Sequence, residues 1–402
     1  MKTPKANRKH IVFYGNRNVG KSSLMNSLIG QEISLVSEIK GTTTDVVSKA
    51  VELLPYGPVV FVDTGGIDDE GTLGSLRVEK TIKTLESADL ALYVLDIAAG
   101  DFEIRLEEEF KKRKTPYIIV INKIDLVSKE YLDEVKDRFK SYENIVYASI
   151  NDSESIANLK EVIIKKLQVL EEESTLIGDL VPYEGRVILV IPLDEAAPRG
   201  RLILPQVQVL RDCLDHGIKS YVVRDMELKS AIEDMEDVDL VITDSKAFKY
   251  VDSIIPREMK LTSFSILMAR QKGDLGEFLK GIERLKELKC KANPKILVME
   301  SCSHNVTHDD IGRVKIPRLI ENNLNKNVDF NFAMGNDFPE DLRDYDLVIH
   351  CGSCMLNRKT MVNRIRMCKE AGVPITNYGL VLAHGAGILD RAVEIFKTSS
   401  ID

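Results

Sequence analysis

IVFYGNRNVGKSSLMNSLIG, residues 11–30, runs from an apolar, β-rich stretch through a loop bounded by two glycines into a segment of helical composition. Strand, Gly-rich loop and helix in this order make a phosphate-binding loop, and Gly15, Gly20, Lys21 and Ser22 complete its G-x-x-x-x-G-K-S spacing. The chemistry needs these residue types. Glycines let successive backbone N–H groups close on phosphate oxygens, and the helix N-terminus adds partial positive charge. The Lys21 ammonium is placed for the β- and γ-phosphates and the Ser22 hydroxyl for Mg2+, with Ser23 beside it at the helix start.

Two further strand ends repeat the pattern. VVFVDTGG (59–66) closes in D-x-x-G, so Asp63 is expected to hold Mg2+ through water and the Gly66 N–H to meet the γ-phosphate. PYIIVINKID (116–125) closes in N-K-x-D, where Asn122 and Asp125 read a base edge and the aliphatic stem of Lys123 covers the ring. Asp125 selects guanine, whose N1–H and exocyclic amine form a donor pair that adenine lacks. Open parallel sheets bind ligands at the carboxyl ends of their strands, and all three motifs fall there. Ser149-Ile150-Asn151 stands at the position of a fifth nucleotide loop, with Ser149 as the contact residue.

Between the first two motifs lies EIKGTTTDVVS (38–48). Its G-T-T-x-D pattern resembles the switch segment of the TrmE-Era group of translation-factor-class GTPases. That resemblance implies that Thr43, between Thr42 and Thr44, joins Ser22 on Mg2+ and closes over the γ-phosphate. Lys21, Thr43 and Gly66 are then the catalytic residues. Members with Asn at the position of Asn18 use K+ beside the phosphates where other GTPases use an arginine finger. Ile67 replaces the water-orienting Gln of many GTPases, which fits a K+-activated enzyme with slow intrinsic turnover.

The chain has 402 residues, 44% hydrophobic and 29% charged, the balance of a soluble chain of two or three domains. Its net charge of −8 argues against a nucleic-acid footprint, and the basic run Lys111–Lys114 reads as solvated helix face. No apolar run reaches the length of a membrane span, and no apolar core follows the basic start, so the cytoplasm is the expected compartment and no membrane partner is expected. Six cysteines in such a chain do not form a secreted disulfide framework.

The expected architecture is α/β throughout: a P-loop GTPase domain (1–174), then two smaller parallel-sheet α/β domains (180–262 and 263–402). The linker lies near EEES (171–174). RVILVIPL (186–193), IKSYVVRD (218–225) and VDLVITD (238–244) alternate with helical segments and carry no nucleotide or metal motif. Arg199 and Arg201 read as ordinary loop charges. A unit this small is readily completed by a second copy, which points to a homodimer. The stretch 262–289 reads as a charged helical connector.

KILVM (295–299) leads to Cys302 and His304, and DLVIHCGSC (346–354) delivers His350, Cys351 and Cys354. In a parallel sheet both deliveries fall on one edge. Three thiols there suit a 4Fe-4S cluster with one iron left to an exchangeable ligand, or a structural zinc site of Cys3His type. Cys351 and Cys354 also fit a redox pair or buried hydrophobes. His304, His350, a carboxylate or solvent are candidates for the fourth position. Cys213, Cys290 and Cys368 read as structural.

C-x-H, a long gap and H-C-x-x-C, behind a TrmE-Era-like GTPase and a middle α/β domain, resembles the HydF family of iron-iron hydrogenase maturation GTPases over the whole chain. The resemblance implies GTP/GDP, Mg2+ and K+ in the first domain and a 4Fe-4S cluster on Cys302, Cys351 and Cys354. It implies a scaffold that receives a two-iron subcluster precursor from two radical-SAM maturases and delivers it to apo iron-iron hydrogenase, with the middle domain forming the dimer. The competing expectation is a K+-dependent GTPase of tRNA modification or ribosome assembly with a zinc-bearing tail. A third is a GTP-gated electron-transfer Fe–S protein.

Overall fold

The computed structural model describes residues 7–30, 35–40 (backbone), 47–65, 81, 83–99, 106–170, 175–193, 202–301, 310–335, 338–339 and 341–397. Thr42, Thr43, Thr44, Gly66, Ile67, Arg199, Arg201, Cys302, His304 and the linker 171–174 lie outside the described residues. The chain divides into two compact units, Met1–Glu173 and Ser174–Asp402.

In the first unit the apolar runs become the strands of one sheet. These are β1 (Lys9–Tyr14), β2 (Leu35–Lys40), β3 (Val47–Leu53), β4 (Gly57–Asp63), β5 (Leu90–Asp96), β6 (Tyr117–Asn122) and β7 (Ile145–Ala148), in the spatial order β2-β3-β4-β1-β5-β6-β7. β1 runs parallel to β4 and β5, and β5, β6 and β7 are parallel, while β3 is antiparallel to β2 and β4. Alternate residues enter opposite cores, which is why these strands are apolar without a break. Ile11, Phe13, Phe61 and Val120 pack with Leu24 and Leu28 of α1 (Lys21–Gly30) and Ile163 of α2 (Ser153–Val169). Val12, Tyr14, Val62 and Ile121 pack on the other face around Phe110.

The second unit holds two parallel four-stranded sheets. β8 (Arg186–Val190), β9 (Lys219–Val223), β10 (Leu240–Thr243) and β11 (Leu261–Ser263) lie in the order β11-β10-β8-β9. β12 (Lys295–Glu300), β13 (Asp329–Met334), β14 (Leu347–His350) and β15 (Ile375–Asn377) lie in the order β13-β12-β14-β15. In each sheet the chain leaves the first strand to one side and then crosses to the other. The switch points, where such sheets form crevices, are therefore β8/β10 and β12/β14. The α/β architecture expected from the sequence is the one observed.

The stretch read as a charged connector is instead part of the core. It forms α3 (Phe264–Lys272) and α4 (Leu275–Glu287), which bury Phe264, Ile266, Leu267 and Met268, then Phe278, Ile282 and Leu285. The charges of α4 sit on the outer face as i,i+3 pairs, Glu277 with Lys280, Glu283 with Lys286 and Arg284 with Glu287. One continuous core joins Ile188 and Val241 of the middle sheet to Val298 and Val348 of the last.

α4 reaches β15 at backbone distance. A Cβ at the buried Gly281 would lie 2.3 Å from the Ile375 carbonyl oxygen. Alanine gains about 0.5–1 kcal/mol of helix propensity over glycine, but overpacking costs about 1–3 kcal/mol. Gly281→Ala should therefore lower the denaturant midpoint of the second unit, and a midpoint equal to or above wild type would contradict this packing.

Candidate functional site

The phosphate loop is held where side chains do not fit. Gly15 has φ +145°, and a Cβ there would lie 2.3 Å from the Val94 carbonyl oxygen. Gly20, at φ +96°, would put one 2.4 Å from the Asn122 amide. Asn18 takes the left-handed conformation at φ 62°, which Asn tolerates better than most residues. Lys21 is nearly buried, and its Nζ donates to the carbonyls of Gly15 (3.0 Å) and Asn16 (2.7 Å). Ser23 is exposed on the first turn of α1.

The Ser22 hydroxyl donates to Asp63 Oδ2. Burial raises the Asp63 carboxyl above its usual range, opposed by this hydrogen bond and by the charge of Lys21. Asp63 Oδ1 is buried without a hydrogen-bond partner among the described residues. A hydroxyl, a carboxylate and an orphaned carboxylate oxygen at a strand end are the donor set of a hard divalent cation, so Ser22 and Asp63 fit Mg2+.

The residues expected to read the base converge from three strand ends. The Asn122 amide donates to the Val19 carbonyl (2.8 Å), which ties the end of β6 to the phosphate loop. Lys123, left-handed at φ 66°, donates to the Asn18 carbonyl (2.8 Å) and pairs with Asp96 at the end of β5. Asp96 went unnoticed in the sequence, although it ends an apolar run as Asp63 and Asn122 do. Asp125 accepts from the Ser149 hydroxyl (2.6 Å) and the Asn151 amide (2.8 Å). These two hydrogen bonds hold its carboxyl below the usual range. The fifth loop thus touches Asp125 through Ser149 and also through Asn151, at opposite oxygens of the carboxylate.

The cysteine loop leaves β14 at the β12/β14 switch point. The Cys351 N–H donates to the Met299 carbonyl (2.8 Å), extending the pairing with β12 by one residue. Cys351 Sγ receives the Ser301 backbone N–H (3.1 Å) and lies 2.9 Å from the Ser301 hydroxyl. Cys351 and Cys354 are both half-buried. Burial raises the Cys354 thiol, and the neighbouring Cys351 raises it further. Lys272, at the end of α3, is 5% exposed and donates to the carbonyls of Ser353 (3.2 Å), Cys354 (3.5 Å) and Leu356 (3.0 Å). Burial pushes its pKa down to about 8 against the opposing pull of the two cysteines.

His350 is a candidate iron ligand by position, and both of its ring nitrogens have protein partners. Its side chain is fully buried. Nε2 lies 2.7 Å from Arg364 Nη1, and a guanidinium only donates, so Nε2 accepts and Nδ1 carries the proton. Nδ1 faces the Cys351 carbonyl (3.0 Å) and the Ser353 hydroxyl (3.1 Å). Burial, then the Arg364 charge, push its pKa down to about 3. The ring stays neutral, with both nitrogens committed to holding the loop. Among the described residues no group of three His, Cys, Asp or Glu side chains is arranged for a metal ion. No described helix is long and apolar enough to cross a membrane.

Relatives share the first unit's kind of domain. GTPase Der of a Nitratiruptor species is 35% identical over 228 residues, covering 50% of this chain and 49% of that protein. The tRNA modification GTPase MnmE of Thermotoga petrophila is 33% identical over 171 residues, 41% of this chain and 37% of that protein. The chain thus spans about half the length, or less, of these curated relatives. A crystal structure of Era from Aquifex aeolicus superposes with a TM-score of 0.31 at 22% identity, over 54% of this chain and 93% of that one. A family model described as 50S ribosome-binding GTPase matches residues 10–123, and the first unit is a P-loop GTPase domain with a GTP/GDP and Mg2+ site. The hydrogen maturase F dimerization domain matches residues 176–273 and the hydrogen maturase F tetramerization domain residues 276–395. Those two models follow each other across both sheets of the second unit and together take in more than half of the sequence; the chain belongs to the hydrogen maturase F (HydF) family.

Proposed function

We propose that this chain is a GTP-hydrolysing scaffold that carries a 4Fe-4S cluster on Cys302, Cys351 and Cys354 and delivers a two-iron subcluster precursor to apo iron-iron hydrogenase. The observation that supports it most directly is the contact between Ser301 and the Cys351 sulfur. Cys302 is the next residue in the sequence. An N–H group aimed at a sulfur tunes a cluster bound through it. His350 is spent on the loop, which leaves His304, a carboxylate or solvent for the fourth position. When bound, such a cluster supplies one iron with an exchangeable ligand site, where cargo from the two radical-SAM maturases can dock. The ribosome-binding GTPase model ends at residue 123, so the tRNA or ribosome reading accounts for the first unit alone.

In the GTPase unit, Lys21 meets the β- and γ-phosphates, Ser22, Thr43 and Asp63 surround Mg2+, and the Gly66 N–H receives the γ-phosphate. Asn18 recruits K+ to the phosphates. The nucleotide state biases partner association through the segments that carry Thr43 and Gly66.

Self-association follows the β9 edge. Lys219 N–H donates to Gly185 O and Ile191 N–H to Val223 O, so odd-numbered β9 residues turn their backbone toward β8. Ser220 and Val222 are left facing outward, and Tyr221 and Val222 are exposed.

Three outcomes test this reading. After anaerobic reconstitution and reduction, the wild-type protein should give an S = 1/2 EPR signal that Cys351→Ala and Cys354→Ala abolish. Stoichiometric zinc without visible absorbance would sink the cluster. GTP hydrolysis should be several-fold faster in K+ than in Na+, and Asn18→Gly, which keeps the left-handed backbone, should lose the difference; equal wild-type rates in the two salts would refute the cation role. Val222→Pro removes an outward N–H without touching the β8 ladder, so light scattering should report a smaller assembly than wild type, and an unchanged mass would exclude the β9 edge.

A further inference from the structure

Lys272 is a buried cation that no carboxylate accompanies among the described residues. An ammonium has three donors, and the carbonyls of Ser353, Cys354 and Leu356 take all three. It has none left for a ligand, so its part is to hold the chain and to supply charge. The ionisable groups it feels are Cys354 and Cys351. Burying an ammonium costs several kcal/mol unless something anionic sits near it, and the two cysteines are what this place offers.

Its setting gives the contact direction. α3 starts at the end of β11, where the Ser263 hydroxyl caps it by accepting the Ile266 N–H (3.2 Å). It ends at the cysteine loop, where Lys272 grips residues 353–356 and the Gln271 carbonyl receives Arg358 Nε (3.0 Å). One helix thus runs from the middle sheet to the thiols. Ser353, one of the two residues between them, is left-handed at φ 55°, a conformation that costs roughly 1–2 kcal/mol and needs holding.

We propose that Lys272 is a positioning residue for the cluster: it braces the Cys351–Cys354 loop through three carbonyls and sets a fixed positive charge beside the two sulfurs. The brace exists in the protein without metal. The electrostatic part rests on the cluster reading above, and a positive charge close to a cluster favours its reduced, more negative form.

Two measurements on the full-length protein test it, with Lys272→Met and Lys272→Gln. In the metal-free protein, amide hydrogen exchange over residues 351–356 should quicken at least tenfold in Lys272→Met, with the other peptides of the second unit unchanged. After reconstitution, a redox titration followed by EPR should place both variants below wild type. The expected size is a tenfold change in the reduced-to-oxidised ratio, about 59 mV for a one-electron couple. Lys272→Gln keeps two N–H donors but no charge, and it carries the test if the Met variant does not fold. Exchange and potential both equal to wild type would overturn the proposal, and a loosened loop with an unmoved potential would overturn its electrostatic half. If the wild-type protein takes up no cluster, the function proposed above falls, while the exchange measurement still decides the brace.

Discussion

The parallel pairing of β14 with β12 is the constraint on which the cysteine site depends. Met299 stands opposite His350, and the Cys351 N–H continues the ladder to the Met299 carbonyl. With that register fixed, Ser301 has to meet Cys351, because the two residues leave neighbouring strands at the same level. A one-residue slip of either strand would exchange its two faces, and since both faces are closely packed, side chains of different size would have to trade places. The hydrophobic pattern of KILVM and LVIH therefore fixes where the sulfur-bearing residues emerge.

The GTPase unit obeys the same rule with different chemistry. Asp63, Asp96 and Asn122 end β4, β5 and β6, and the phosphate loop ends β1. Four adjacent parallel strands thus deliver the Asp63 carboxylate, the Asp96 partner of Lys123, the Asn122 amide and the phosphate loop to one edge. The hydrogen bonds across that edge run between motifs: Asn122 to Val19, Lys123 to Asn18 and Ser22 to Asp63. Each motif is positioned by another, which explains why their joint spacing carried more information than any one of them.

Much of this was legible in the sequence because it is local. A strand of alternating or continuous apolar residues followed by a signature loop states both its fold and its task. What stayed hidden depends on side chains that meet through tertiary packing. His350 stood at the sheet edge by counting, but its tautomer and burial are set by Arg364, fourteen positions on in the following helix. Lys272 lay in a stretch whose charges suggested a solvated connector. Nothing in its neighbours distinguishes it from Lys280 or Lys286, which are solvent-facing ion-pair partners. The 262–289 segment looked polar because its charges fall on one face, and helical period rather than composition would have separated Phe278, Ile282 and Leu285 from them.

Around the cysteine loop, polar groups are buried in an order that favours one kind of occupant. Arg364 and Lys272 both grip the segment that begins at His350, Arg364 through the imidazole and Lys272 through the backbone. The imidazole between Arg364 and the loop stays neutral, so it neither cancels nor adds charge. The Cys354 thiol itself resists ionising alone, since burial raises it. Thiolates become stable here when something shares their charge, and a bound metal centre does that while the ammonium offsets what remains. A plain pair of core cysteines would need no buried ammonium next to it. A redox pair would be served by a lowered thiol pKa, which Cys354 does not have. The raised Cys354 thiol, the Ser301 N–H aimed at the Cys351 sulfur and the cation anchored to the loop all agree with the metal-binding role proposed for this loop.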